Sequence, residues 1–171
     1  MDIIEKARVF ATAAHSAVRQ VRKYTGEPYI NHPAELVELL LEHGITQPQM
    51  LAAAWLHDVV EDTSVPIELI ESEFGRCVAD LVAGLTDVSR PEDGNRKTRK
   101  AIDRAHTASQ SPACKTIKLA DLISNTISIV ERDPEFAKVY LAEKRQLLEV
   151  LYDGDSRLWA MASCIANHQT P

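Results

Sequence analysis

The sequence predicts an all-α fold on three observations: apolar residues recur at helical spacing along nearly the whole chain, prolines stand just ahead of those patterns, and no period-two run competes. Ala7, Phe10, Ala11, Ala14, Val18 and Val21 place one apolar face on a first helix, which Arg19, Arg22 and Lys23 are expected to close. Pro33 precedes a second pattern, Leu36, Val37, Leu40 and Leu41, and Gly44 follows it as a stop. Pro48 leads into the apolar stretch Met50 to Leu56, and Pro66 leads the next pattern. Val78, Leu81, Val82 and Leu85 mark a further helix. The polar stretch Asp87 to Asn95 reads as the longest loop. Ser111 before Pro112 and Asp133 before Pro134 fit the N-cap position, because their side-chain oxygens can accept from the free N–H groups of a first turn. Leu141, Leu148 and Leu151 mark a late helix. The expectation is a single domain over residues 1–171, a bundle of about eight or nine helices.

Composition narrows the function. The chain has 171 residues, 45% hydrophobic and 26% charged, which is ordinary globular usage and excludes a disordered chain. Lys and Arg number 19 against 25 Asp and Glu, a formal charge of −6. That balance argues against a general nucleic-acid or membrane-surface binder and leaves room for a local basic pocket. No apolar run approaches the length of a bilayer span. Charges stand at Asp2, Glu5 and Lys6, where a signal peptide needs an apolar stretch. Cys77, Cys114 and Cys164 form no paired motif, so neither a disulfide framework nor a thiolate zinc site is indicated. A reducing, cytoplasmic setting is expected.

Four segments carry candidate chemistry. In Leu56-His57-Asp58-Val59-Val60-Glu61-Asp62, imidazole and carboxyl groups follow a buried stretch, where charge is costly unless paired or bound to a cation. Helical spacing stacks Glu61 on His57 and Asp62 on Asp58. In Tyr29-Ile30-Asn31-His32-Pro33, the proline restricts the backbone at His32, which suits a rigid ligand and equally a simple N-cap. In Lys118-Leu119-Ala120-Asp121-Leu122-Ile123-Ser124-Asn125, Asp121 is either paired with Lys118 or aimed at a cation. His32, His57, Asp58 and Asp121 together offer mixed nitrogen and oxygen donors, a set that suits manganese, iron or zinc. The fourth segment is basic: Arg19, Arg22 and Lys23, then Arg96, Lys97, Arg99, Lys100 and Arg104, any of which can serve phosphate or simply a solvated helix face. His15, His43, His106 and His168 receive no role.

The order His32, His57-Asp58, Asp121 resembles the HD-domain metal-dependent phosphohydrolases. The runs Gly26 to Pro33, Ala53 to Thr63 and Lys118 to Asp121 look like the hydrolase domain of the RelA/SpoT proteins and equally like the free-standing small alarmone hydrolases, the Mesh1-like group. The resemblance implies an HD-type helical domain that removes the 3′-pyrophosphate from guanosine tetra- and pentaphosphate with Mn²⁺ or another divalent metal. It implies His32, His57, Asp58 and Asp121 as metal ligands. Glu61 and Asp62 would position and activate the attacking water, and Arg22, Lys23 and Asn125 would contact the nucleotide. Lys97 and Lys100 are further candidates for phosphate. Leu122 and Thr126-Ile127 stand where many members carry basic residues, so the base can be adenine rather than guanine. An NADPH phosphatase, a nucleotidase and a non-catalytic nucleotide-binding module are the competing readings. The expected partner is a small nucleotide, with no nucleic acid and no membrane.

Overall fold

The computed structural model describes residues 1–168; the domain expectation runs to residue 171, and residues 169–171 lie outside the described residues. The chain divides into two compact units, Met1–Thr86 and Asp87–Pro171. All regular structure among the described residues is helical, apart from one isolated bridge between Val21 and Pro28.

The first unit holds α1 (Ile3–Ala17), α2 (Asn31–Glu42), α3 (Pro48–Leu56), the single-turn α4 (Val59–Asp62), α5 (Ile67–Phe74) and α6 (Arg76–Leu85). Its centre is α3, in which every residue from Leu51 to Leu56 is buried. A helix apolar on all sides has to be covered on all sides, and α1, α2 and α6 pack on α3. The second unit holds a 3₁₀ turn (Pro91–Asp93), α7 (Arg96–Ala108), α8 (Pro112–Arg132), α9 (Pro134–Leu148) and α10 (Ser156–His168). Its centre is α8, flanked by α9 and α10 and buried at Ile117, Leu119, Ala120, Leu122 and Ile123.

Most caps form as the sequence indicates. Ser111 accepts from the Cys114 N–H and Asp133 from the Phe136 N–H, while Pro48, Pro112 and Pro134 occupy the first helical position. Gly44 follows α2 with φ +75°, the left-handed stop that suits glycine. His57 and Asp58 interrupt what would otherwise be one helix and leave the single turn α4 after them.

Several details differ. The first helix stops at Ala17, so Val18 and Val21 are exposed and Arg19, Arg22 and Lys23 lie beyond its end. The stop is a left-handed turn: Arg19 takes φ +55°, and the Gln20 N–H donates back to the His15 carbonyl. The apolar spacing continues past Ala17, but the backbone leaves the helix. Leu41 is likewise exposed. Pro33 stands in the third position of α2, where an N–H would still lack a helical partner, and Pro66 caps α5 from outside. Leu151 is fully buried but lies after α9 ends.

Candidate metal centre

His32, in the first turn of α2, and His57, just past α3, are both buried. Their rings stand edge to face with centroids 5.2 Å apart. Asp58 follows at the break before α4, with its Oδ2 at 2.8 Å from His57 Nε2 and 4.0 Å from His32 Nε2. One ligand atom from each of the three residues lies within 4.8 Å of the others. The helix break produces this arrangement. The Asp62 N–H still donates to the Asp58 carbonyl at 2.8 Å, so the chain resumes helical bonding directly after His57 and Asp58.

Hydrogen bonds fix the donor atoms. His57 Nδ1 lies 2.9 Å from the Ala54 carbonyl, which can only accept, so Nδ1 carries the proton. With its far nitrogen held this way, the ring turns Nε2 toward the Asp58 carboxylate. Two acceptors at 2.8 Å repel unless a proton or a cation lies between them. The donor set and its imposed tautomer fit a divalent cation, and the carbonyl bond to the far ring nitrogen is the usual support of a metal-binding histidine. Tyr29 adds to the frame by donating its hydroxyl to Asp58 Oδ2.

Asp121 belongs to the second unit, where it is buried on α8. The Asn125 side-chain N–H donates to one of its oxygens at 2.6 Å, and the Lys118 ammonium stands 3.5 Å from the other. Both sequence alternatives for Asp121 thus keep a physical basis: it is ion-paired, and it is also held in one orientation.

Glu61 and Asp62 lie on α4, both exposed at residue level. Asp62 Oδ2 accepts from Gln20 Nε2 at 2.7 Å, and Gln20 Oε1 lies 2.7 Å from His15 Nδ1. Since the Gln20 amide N–H groups face Asp62, its oxygen accepts from His15. Desolvation lifts the Asp62 carboxyl above its ordinary pKa against the pull of the Gln20 bond, and the Asp58 charge adds to the lift. Burial lowers the His15 pKa, which keeps its ring neutral. Sequence reasoning assigned nothing to His15 or Gln20. The only signal was the position of His15 in the buried stripe with Ala7 and Ala11.

The basic candidates fall in both units, Arg22 and Lys23 in the first and Lys97 and Lys100 in the second. Arg22 pairs with Glu35. Lys23 lies 4.8 Å over the Tyr24 ring. Lys97 is exposed on α7, whereas Lys100 pairs with Asp87 at 2.8 Å and stands 3.7 Å from Asp103.

An all-helical frame that carries one histidine on one helix and a His-Asp pair at the end of the next defines the HD class. The HD domain family matches residues 7–151, and the chain belongs to it. It is similar to the guanosine-3′,5′-bis(diphosphate) 3′-pyrophosphohydrolase MESH1 of Danio rerio, 36% identical over 74% of this chain and 68% of that protein. The protein of the same name from Mus musculus is 41% identical over 66% of this chain and 63% of its own length. The aligned part thus spans about two thirds of these curated relatives. A solved structure of a metazoan ortholog of SpoT, described as hydrolyzing ppGpp, superposes with a TM-score of 0.88 at 28% identity, covering 99% of this chain and 96% of that one. No helix among the described residues is long and apolar enough to cross a membrane.

Proposed function

We propose that this chain is a metal-dependent phosphohydrolase that removes the 3′-pyrophosphate of a guanosine or adenosine tetra- or pentaphosphate. The observation that carries the reading is that His32, His57 and Asp58 bring one donor atom each within 4.8 Å of one another, a mixed nitrogen and oxygen set that suits a divalent cation. The named activity of the MESH1 relatives and of the SpoT ortholog supports the substrate class. The reading treats residues 1–171 as one working hydrolase domain, supported by a family match that runs through both units.

His32, His57 and Asp58, joined by Asp121, would hold the ion, and Mn²⁺ suits a nitrogen and oxygen set without thiolate. A divalent ion bound there offsets phosphate charge and acidifies a water. Asp62, its carboxyl raised above the ordinary range by desolvation, would accept a proton from the attacking water, and Glu61 beside it would orient that water. Gln20 keeps one Asp62 oxygen occupied and so aims the other. Water adds to phosphorus, the 3′ ester bond breaks, and the products are pyrophosphate and a 3′-hydroxyl nucleotide. Arg22, Lys23, Lys97, Lys100 and Asn125 would contact the nucleotide or its phosphates. The exposed free thiols of Cys77 and Cys164 go with a cytoplasmic setting.

Purified protein with Mn²⁺ should release pyrophosphate from ppGpp or ppApp, and Asp58→Ala or Asp121→Ala should abolish the release. A nucleotide panel with product masses decides the outcome. Release of monophosphate alone, or a preference for NADPH, would replace this reading with that of another HD-type phosphatase.

A further inference from the structure

The second unit contains a cavity of about 100 Å³ walled by residues of α7, α8 and α9, and cations dominate it: Lys100, Arg104, Lys118 and Lys144. Each acidic group on the wall already has partners, and Lys100 serves two of them, standing 3.7 Å from Asp103 as well as beside Asp87. Asp87 accepts from Lys100 at 2.8 Å. Glu143 receives a two-pronged bond from Arg96, at 2.7 and 2.8 Å. Asp103 accepts from the Val88 and Ser89 N–H groups and from the Ser89 hydroxyl. Among the lysines, Lys100 has Asp87 and Lys118 has Asp121 at 3.5 Å. Lys144 makes no hydrogen bond and no ion pair among the described residues, and its ammonium lies 4.8 Å from the centre of the Tyr140 ring. A half-buried ammonium with no bonded counter-charge is costly, and the more distant charges of Asp121 and Asp87 offset that cost only in part. The strain registers in its pKa: burial first, then the charge of Lys118, push it down to about 8.

We propose that this cavity is an anion subsite that takes one phosphate group, with the Lys144 ammonium as its principal donor. The chemistry selects phosphate. Lys144, Lys118 and Lys100 bring ammonium donors from three helices, with a guanidinium beside them, and a tetrahedral dianion with several oxygens can engage more than one of them at once. The volume corresponds to a few waters, enough for a phosphate group and too small for a nucleoside. Lys144 stands on the inward stripe of α9 formed by Ala137, Tyr140, Leu141 and Leu148, so its position is set by packing. As the holder of a substrate phosphate, the subsite rests on the reading of the chain as a nucleotide phosphohydrolase. As a phosphate site, it stands on the cavity alone.

The test is titration calorimetry of inorganic phosphate into the chelator-treated full chain at pH 7, which requires neither metal nor turnover. The wild type should bind phosphate, Lys144→Met should bind it at least about tenfold more weakly, and Lys144→Arg should keep most of the affinity, since one charge-assisted bond is lost in the first and retained in the second. With substrate and Mn²⁺, Lys144→Met should raise KM far more than it lowers kcat. Thermal melts of each variant separate lost binding from lost folding. Equal phosphate affinity in a folded Lys144→Met protein would overturn the subsite. Phosphate binding that depends on Lys144, in a protein that turns over no alarmone, would uphold the subsite and overturn the reaction.

Discussion

Gln20 joins two side chains with opposite needs. Its oxygen accepts a hydrogen bond from the His15 ring N–H and its amide donates to Asp62, so a neutral amide fixes both a buried ring and a half-desolvated carboxylate. The Gln20 bond works to lower the Asp62 pKa. Removing it in Gln20→Leu should therefore raise that pKa further and move the acidic limb of the pH–activity profile to higher pH. The same change should reduce kcat by about tenfold, through loss of aim at the carboxylate. A pH–rate series on both proteins checks this, and an unshifted limb would remove Asp62 from the proton-accepting role. At this scale the candidate group of His32, His57 and Asp58 was legible in the sequence. The steric marks of His32-Pro33 and the crowding of charge after Leu56 are local features. His15, Gln20 and Lys144 were not legible, because each gains its meaning from a partner on another turn or another helix. Lys144 did leave a trace, a lysine in an apolar stripe, but a stripe position alone does not disclose whether the tip reaches solvent.

At the scale of elements, the chain shows where helical spacing informs and where it misleads. Val78, Leu81, Val82 and Leu85 follow the spacing and all four are buried, because α6 is covered along its length. Val18 and Val21 follow it too, yet the left-handed Arg19 carries the chain out of the helix before the face can continue. The connection after α9 depends on a closer constraint. A Cβ on Gly154 would meet Leu119 Cδ1 at 2.9 Å and the Thr116 N at 3.2 Å. The small residue there lets the segment settle on α8, where the Asp155 N–H donates to the Thr116 hydroxyl at 2.9 Å. Gly154→Ala should cost about 1–3 kcal/mol in urea unfolding, the range for overpacking. An unchanged midpoint would mean that the segment yields freely.

For the molecule as a whole, stability and function pull apart at the same lysine. Lys144 has a folded pKa of about 8 against an ordinary 10.5. Below pH 8 it is charged in both the folded and unfolded states, and the folded state carries the full cost of burying it. As pH rises from about 8 toward 10.5 the folded protein sheds that proton first, so the cost fades. In buffer free of phosphate, Lys144→Met should therefore stabilise the fold at pH 7 by on the order of 2 kcal/mol, and the gain should shrink above pH 8. Denaturant melts at several pH values read this directly, and a gain that grew with pH would contradict the sign. The cation site is subject to the same linkage, because an ion that binds only the folded chain raises its melting temperature. The most direct check on the account is the binding of Mn²⁺ itself, followed by electron paramagnetic resonance as the free-ion signal is lost. The account predicts one tight ion for each chain, released by His57→Ala and by Asp58→Ala in proteins that remain folded. Full retention of the ion in both variants would contradict it.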